Sequence, residues 1–170
     1  GGCAWHPNLY GAGDAGLIVV GNLAAGTGAI WAWRKSTDTW AQLLTTSIND
    51  LISHAGVVYS FGLNAVIATT GDDNLKCFRI DQGPVVTQIS NTPFSFSYPG
   101  GVLLDDPNQG STVYGLQKNG NQVYKYSAGT WALQGFTHPF ASNLSGGSTA
   151  GWVGFTLYGM ALLYGATRTL

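Results

Sequence analysis

Short runs of alternating apolar and polar residues, each closed by Gly, Asn, Asp or Pro, succeed one another along the 170-residue chain. A period of two marks half-buried strands, and the punctuating residues mark turns. Leu17 to Val20, Val57 to Phe61 and Val102 to Leu104 are predicted as first strands of successive units. Hairpins are predicted around Gly26-Thr27-Gly28, Gly71-Asp72-Asp73-Asn74 and Asn119-Gly120-Asn121. Closing strands run through Trp40 to Leu44, Val85 to Ile89 and Trp131 to Phe136. The longest apolar runs, such as Leu17 to Val20 and Met160 to Leu163, are strand-sized, far short of the roughly 18 residues that span a bilayer.

The pattern repeats. Ala15-Gly16-Leu17-Ile18, Ala55-Gly56-Val57-Val58, Gly100-Gly101-Val102-Leu103 and Ala150-Gly151-Trp152-Val153 share a small-Gly-apolar-apolar form at spacings of 40, 45 and 50 residues. An aromatic before a basic residue follows in Ala32-Trp33-Arg34-Lys35, Cys77-Phe78-Arg79-Ile80 and Val123-Tyr124-Lys125-Tyr126, at spacings of 45 and 46. Seven residues beyond each aromatic stands Trp40, Val85 or Trp131. Units of this size with three or four antiparallel strands suit propeller blades. The fourth unit stops at Leu170 before a Thr-Trp strand, while Asn8, Gly11 and Ala15 match Asn143, Gly146 and Ala150 at a separation of 135 residues. Residues 1–6 then take the place of a unit's final strand.

The expected architecture is therefore an all-β, β-propeller-like single repeat domain of about four units (15–45, 55–90, 100–136, and 150–170 with 1–6), the N-terminal strand completing the last blade. A β-sandwich or jelly roll is the alternative, since short strands at regular spacing fit it too. A ring closed within one chain and a ring completed by association of copies are both compatible with this phase, as is a stretch of a larger propeller.

Composition agrees with an all-β class: there is no Glu, one Met and 25 Gly, few helix formers among many turn formers. Only 9% of residues are charged and the net charge is −1, with the seven Lys and Arg dispersed and only Arg34-Lys35 adjacent, so no basic footprint for nucleic acid exists and membrane insertion is not expected. Low charge with abundant Gly, Ser, Thr and Asn suits a secreted, extracellular or virion-surface protein. A chain opening on Gly1 is expected to be a processed product or part of a longer one. Cys3 and Cys77 are compatible with one disulfide or with two thiols. Asn143-Leu144-Ser145 is a glycosylation sequon.

Catalytic chemistry has few candidates. Without Glu, paired carboxylates must come from Asp, and the adjacent pairs Asp72-Asp73 and Asp105-Asp106 sit in turn sequences, where Asp bonds nearby backbone. A polysaccharide hydrolase would have to use them. His6, His54 and His138 lie between units without close metal-ligand spacing, and Asp105, Asp106 and Asn108 lack the spacing and final acid of a calcium loop. No Gly-x-Ser-x-Gly elbow supports a serine triad, and the Gly-rich stretch 21–28 precedes neither helix nor Lys. No cofactor or metal is implied, and a non-enzymatic role is expected.

The aromatics carry the remaining signal. Trp31 and Trp33 share a strand face; Trp40 and Trp131, at equivalent repeat positions, are expected to pack blade against blade. The non-repeated Trp5, Tyr10, Tyr59, Tyr98 and Trp152, with His6, His54 and His138, flank inter-unit loops and are the candidate ligand-binding residues. Such a surface suits a neutral, hydroxyl-rich ligand. Thr39-Trp40-Ala41 and Thr130-Trp131-Ala132 in tandem units resemble the blades of kelch- or lectin-type propellers. The diagnostic signatures of those repeats are absent, so the resemblance implies architecture and not activity. The expected function is multivalent, lectin-like binding of carbohydrate or glycoconjugate at shallow sites between blades. The alternative is a structural or receptor-binding domain of a virion fibre or surface assembly.

Overall fold

The computed structural model describes residues 2–24, 27–47, 56–70, 75–93, 102–107, 109–116, 121–137, 149–152 and 160–163, and among them every regular element is a strand. The first sheet joins β1 (Gly2–His6), β2 (Gly16–Ala24), β3 (Thr27–Arg34) and β4 (Thr39–Ser47) in that order, all antiparallel. The second repeats the meander with β5 (Val57–Ser60), β6 (Ala65–Thr69), β7 (Cys77–Asp81) and β8 (Val85–Ile89). The third does so with β9 (Val102–Asp105), β10 (Val113–Leu116), β11 (Gln122–Ser127) and β12 (Thr130–Thr137). β13 (Thr149–Trp152) and β14 (Met160–Leu163) form an antiparallel pair.

Tight turns make the meanders possible. Ser127 pairs with Thr130, so Ala128 and Gly129 form a two-residue hairpin turn, both with positive φ (49° and 86°), the twist that matches paired strands. Asp38 and Asn64 also adopt positive φ, a conformation their short polar side chains tolerate. The Asp38 carboxylate further accepts the Trp33 indole N–H at 2.8 Å, tying the β3–β4 turn to its strand.

The sheets stack through their first strands: β1 lies against β5, β5 against β9, and β9 against β13. Ile18, Val20, Ile30 and Ala32 of the first sheet, with Leu9, interlock with Val66, Ala68, Phe78 and Ile80 of the second. On the opposite face of the second sheet, Ile67 and Cys77 pack with Leu103, Val113 and Tyr126 of the third. Covered on both faces, β6 is buried at all five residues, and its near-continuous apolar sequence follows from that. Burying side chains of this size contributes about 1.5–3 kcal/mol each, which makes the two junctions the main source of stability.

Trp33-Arg34, Phe78-Arg79 and Tyr124-Lys125 occupy the third strand of each sheet, and Trp40, Val85 and Trp131 open the fourth, as the repeat spacing predicts. The small-Gly landmark is out of phase. Ala15-Gly16 leads into the second strand of its sheet, whereas Val57 and Val102 begin first strands. The N-terminal segment corrects the expected closure: Gly2–His6 does not complete the last unit but pairs with β2, from Gly2 opposite Val20 to His6 opposite Gly16. Its apolar residues supply the first strand that the unit beginning at residue 15 lacks.

Cross-strand register aligns one row of side chains in each sheet. In the first it is Trp5, Leu17, Trp33 and Trp40. In the second it is Tyr59, Val66, Ile80 and Val86. In the third it is Asp105, Val113, Tyr126 and Trp131. The second and third rows face the preceding sheet and pack on it. The first row has no described sheet before it, and Trp5 and Trp40 are 44% and 54% exposed. Trp131 thus packs between sheets, whereas Trp40, its counterpart, does not.

Candidate functional site

The turn joining β5 to β6, Phe61–Asn64, is held from both sides. From the first sheet, the His6 imidazole bonds through Nε2 to the Asn64 carbonyl oxygen at 3.0 Å. From the third, Asp105 Oδ2 accepts the Phe61 N–H at 3.1 Å, and the Ser111 hydroxyl donates to the Gly62 carbonyl at 3.1 Å. Gly62 is required here, because a Cβ would run into the backbone of Gly110 and Ser111. A turn so fixed presents its exposed side chains in one geometry.

His6 ends β1 and is fully buried. Nδ1 accepts the Asn8 N–H at 3.2 Å, which leaves Nε2 as the protonated nitrogen that donates to Asn64. Burial lowers its pKa, outweighing the Asn64 bond and the Asp81 charge, which raise it. With both nitrogens engaged inside the protein, His6 supports the site from beneath and offers no atom to a ligand.

Its ring lies 4.8 Å from that of Tyr59, and Tyr59 in turn meets Phe61 edge-on at 5.0 Å. The Tyr59 hydroxyl donates to Asn64 Oδ1 at 2.9 Å, and burial pushes its pKa upward. Phe61 is 69% exposed although its edge-on contact with Tyr59 fixes its setting. The result is an apolar ring face beside an exposed Asn64 side chain. Sequence reading did not select Phe61 or Asn64; an aromatic placed directly before a Gly-Leu-Asn turn was the available signal.

The other expected site residues fall elsewhere. Tyr10 packs at the edge of the first core cluster beneath the Arg34 guanidinium, 4.9 Å from its ring centroid, and burial raises its pKa. Arg34 is also paired with Asp14 at 2.6 Å. Trp5 lies on the outer face of the first sheet, 6.4 Å from Trp33. Trp152 belongs to β13, but its side chain lies outside the described residues, as do His54, Tyr98 and His138.

Asp105 ends β9 and is buried, with Oδ2 committed to Phe61 and a further bond from Ser60; among the described residues Oδ1 has no partner. Burial raises its pKa, opposed by the Ser60 and Phe61 bonds. Asp72 and Asp73 lie outside the described residues. Among the described residues no group of three His, Cys or Asp side chains is placed to hold a metal ion, and no helix is long and apolar enough to cross a membrane. Cys3 and Cys77 are free thiols, one exposed and one buried. No family model matches the chain, and no curated protein matches it in sequence.

Proposed function

We propose that the chain is a non-enzymatic, lectin-like module that binds a neutral glycan at the Phe61–Asn64 turn, on a propeller-like stack of sheets. The observation that carries the reading is the exposed Phe61 ring, held edge-on against Tyr59 beside Asn64. An aromatic face stacks on the C–H face of a sugar ring, and an adjacent amide bonds its hydroxyls. The pinned turn lowers the ordering cost of binding. Regular succession of four-stranded meanders, touching through β1, β5, β9 and β13, supports the propeller-like arrangement. A role outside the cell or on a virion suits the low charge.

A glycan array tests this reading, followed by titration of any hit against Phe61→Ala and Asn64→Ala. Binding weakened at least about tenfold by Phe61→Ala, the loss of about 1.4 kcal/mol, is the expected result. An array blank across neutral sugars sinks it. The tryptophan row, which no sheet among the described residues covers, favours a second reading, a domain of a surface assembly, whose contacts are made by sheet faces.

A further inference from the structure

The four backbone carbonyl oxygens of the Phe61–Asn64 turn all accept hydrogen bonds from within the protein. The Phe61 carbonyl accepts the Asn64 N–H at 3.3 Å, and the Gly62 carbonyl accepts the Ser111 hydroxyl at 3.1 Å. The Leu63 carbonyl accepts from the Arg79 guanidinium at 3.4 Å, and the Asn64 carbonyl from the His6 imidazole. The Asn64 side chain is committed in the same sense. Its Oδ1 accepts the Tyr59 hydroxyl at 2.9 Å, which leaves Nδ2, with two N–H groups, unpartnered among the described residues. The acceptors of the turn are thus engaged, and a pair of donors remains beside an exposed aromatic ring. Tyr59 touches both, its ring against Phe61 at 5.0 Å and its hydroxyl against Asn64. Charge is engaged as well: Arg79 pairs with Asp81 at 2.7 Å, and Asp105, bonded to the Phe61 N–H, is buried.

We propose that this turn selects acetamido sugars, neutral saccharides that carry an N-acetyl group, and that Tyr59 is the residue that positions Asn64 for the choice. The inference rests on the glycan reading and narrows it. An N-acetyl group joins a carbonyl acceptor to an apolar methyl. Its oxygen accepts from Asn64 Nδ2 while the methyl lies on the Phe61 ring. A hydroxyl in the same place brings a proton besides its lone pairs, and the turn holds no uncommitted acceptor to receive it. Sites built from hydrogen-bonding groups discriminate through the partners they leave unpaired. The Tyr59 hydroxyl sets the sense of this selection, because an amide turned over would present Oδ1 and favour a hydroxyl donor instead. Carboxylated or sulfated sugars gain no ion pair at the turn, since the Arg79 guanidinium is already paired with Asp81.

Magnetic-resonance titration of the 170-residue chain with methyl glycosides of N-acetylglucosamine and glucose, and of N-acetylgalactosamine and galactose, tests the choice. The acetamido member of at least one pair is expected to bind at least about tenfold tighter than its hydroxyl counterpart. Asn64→Asp keeps Oδ1 for Tyr59 and removes both donors. Asn64→Gly removes the whole amide, tolerates the positive φ of 48° and keeps the carbonyl for His6. Each is expected to bring the two members of that pair to within about twofold of one another. Tyr59→Phe is expected to narrow the same ratio by freeing the amide, whereas a purely structural Tyr59 would weaken both members alike. Sugars that bind through Phe61 with equal affinity for both members, or a preference that survives both Asn64 substitutions, overturn the N-acetyl assignment and leave the glycan reading standing. A chain that binds none of the four sugars overturns the assignment together with the glycan reading.

Discussion

The Nε2 of His6 and the carbonyl oxygen of Asn64 stand 3.0 Å apart, 58 residues distant in sequence, and join the first sheet to the turn of the second. This bond is part-buried, between a fully buried imidazole and an exposed turn, beside an apolar junction. The loss of such a bond costs about 0.5–1.5 kcal/mol.

His6→Ala is therefore expected to lower stability by at least about that amount, before any packing loss. The pH dependence has a definite sign. Burial holds the folded pKa below the ordinary 6.5, so the stability that the neutral ring provides is present above 6.5 and is lost as pH falls through that value toward the lowered one. Urea denaturation of wild type and variant on either side of pH 6.5 should show a steeper acid decline in the wild type.

Asp105 has the opposite sign. Its folded pKa is raised above the ordinary 3.8 by burial, so its contribution is greatest when protonated and is lost as pH rises through the raised value. Asp105→Asn keeps an oxygen for the Phe61 N–H and removes the charge. Its thermal midpoint is expected to match or exceed that of the wild type at neutral pH, the difference vanishing on acidification. A variant clearly less stable than wild type at neutral pH would show that the carboxylate's bonds outweigh its burial.

Gly62→Ala is expected to cost about 1–3 kcal/mol or more through overpacking, because the added methyl meets backbone that cannot rotate away. Gly21→Ala is the control: nothing lies within 4 Å of the place its Cβ would take. Denaturation midpoints of the two variants should separate clearly.

Burial pushes the Cys77 thiol up to about 12, so the nucleophilic thiolate is scarce at neutral pH and the sulfur is shielded besides. In a Cys3→Ser background, alkylation of the remaining thiol is expected only after denaturation. Rapid native labelling would contradict the packing of the second junction.

Much of this fold was legible in the sequence. Near-equal spacing of Trp33, Phe78 and Tyr124, and of Trp40, Val85 and Trp131, located the outer strands, because each sheet carries the first set on its third strand and the second at the start of its fourth, although the register between those strands differs from sheet to sheet. The phase of the units was not, because Ala15-Gly16 precedes a second strand while looking like the start of a first. Separations of 17, 22 and 23 residues between the small-Gly and aromatic-basic landmarks held the clue: the shortfall in the first unit is about one strand. His6-Pro7-Asn8 and Asp106-Pro107-Asn108, each following a first strand, would have marked the true phase. Trp5 and His6 were candidate ligand residues, yet adjacent strand positions send them to opposite faces. Phe61 and Asn64 were harder to find, since their juxtaposition depends on contacts with two other sheets.

A stack of similar meanders carries a hazard: its members can assemble in the wrong sequence. The Phe61–Asn64 turn meets the first sheet through the Asn64 carbonyl, taken by His6, and the third sheet's side through the Phe61 N–H and the Gly62 carbonyl, taken by Asp105 and Ser111. Exchanging the two neighbours would set the Asp105 carboxylate against the Asn64 carbonyl and leave the Phe61 N–H without its acceptor, both at part-buried positions. The middle sheet thus works as a keyed connector, with a different pattern of donors and acceptors on each side, and it writes the order of the chain into the order of the layers.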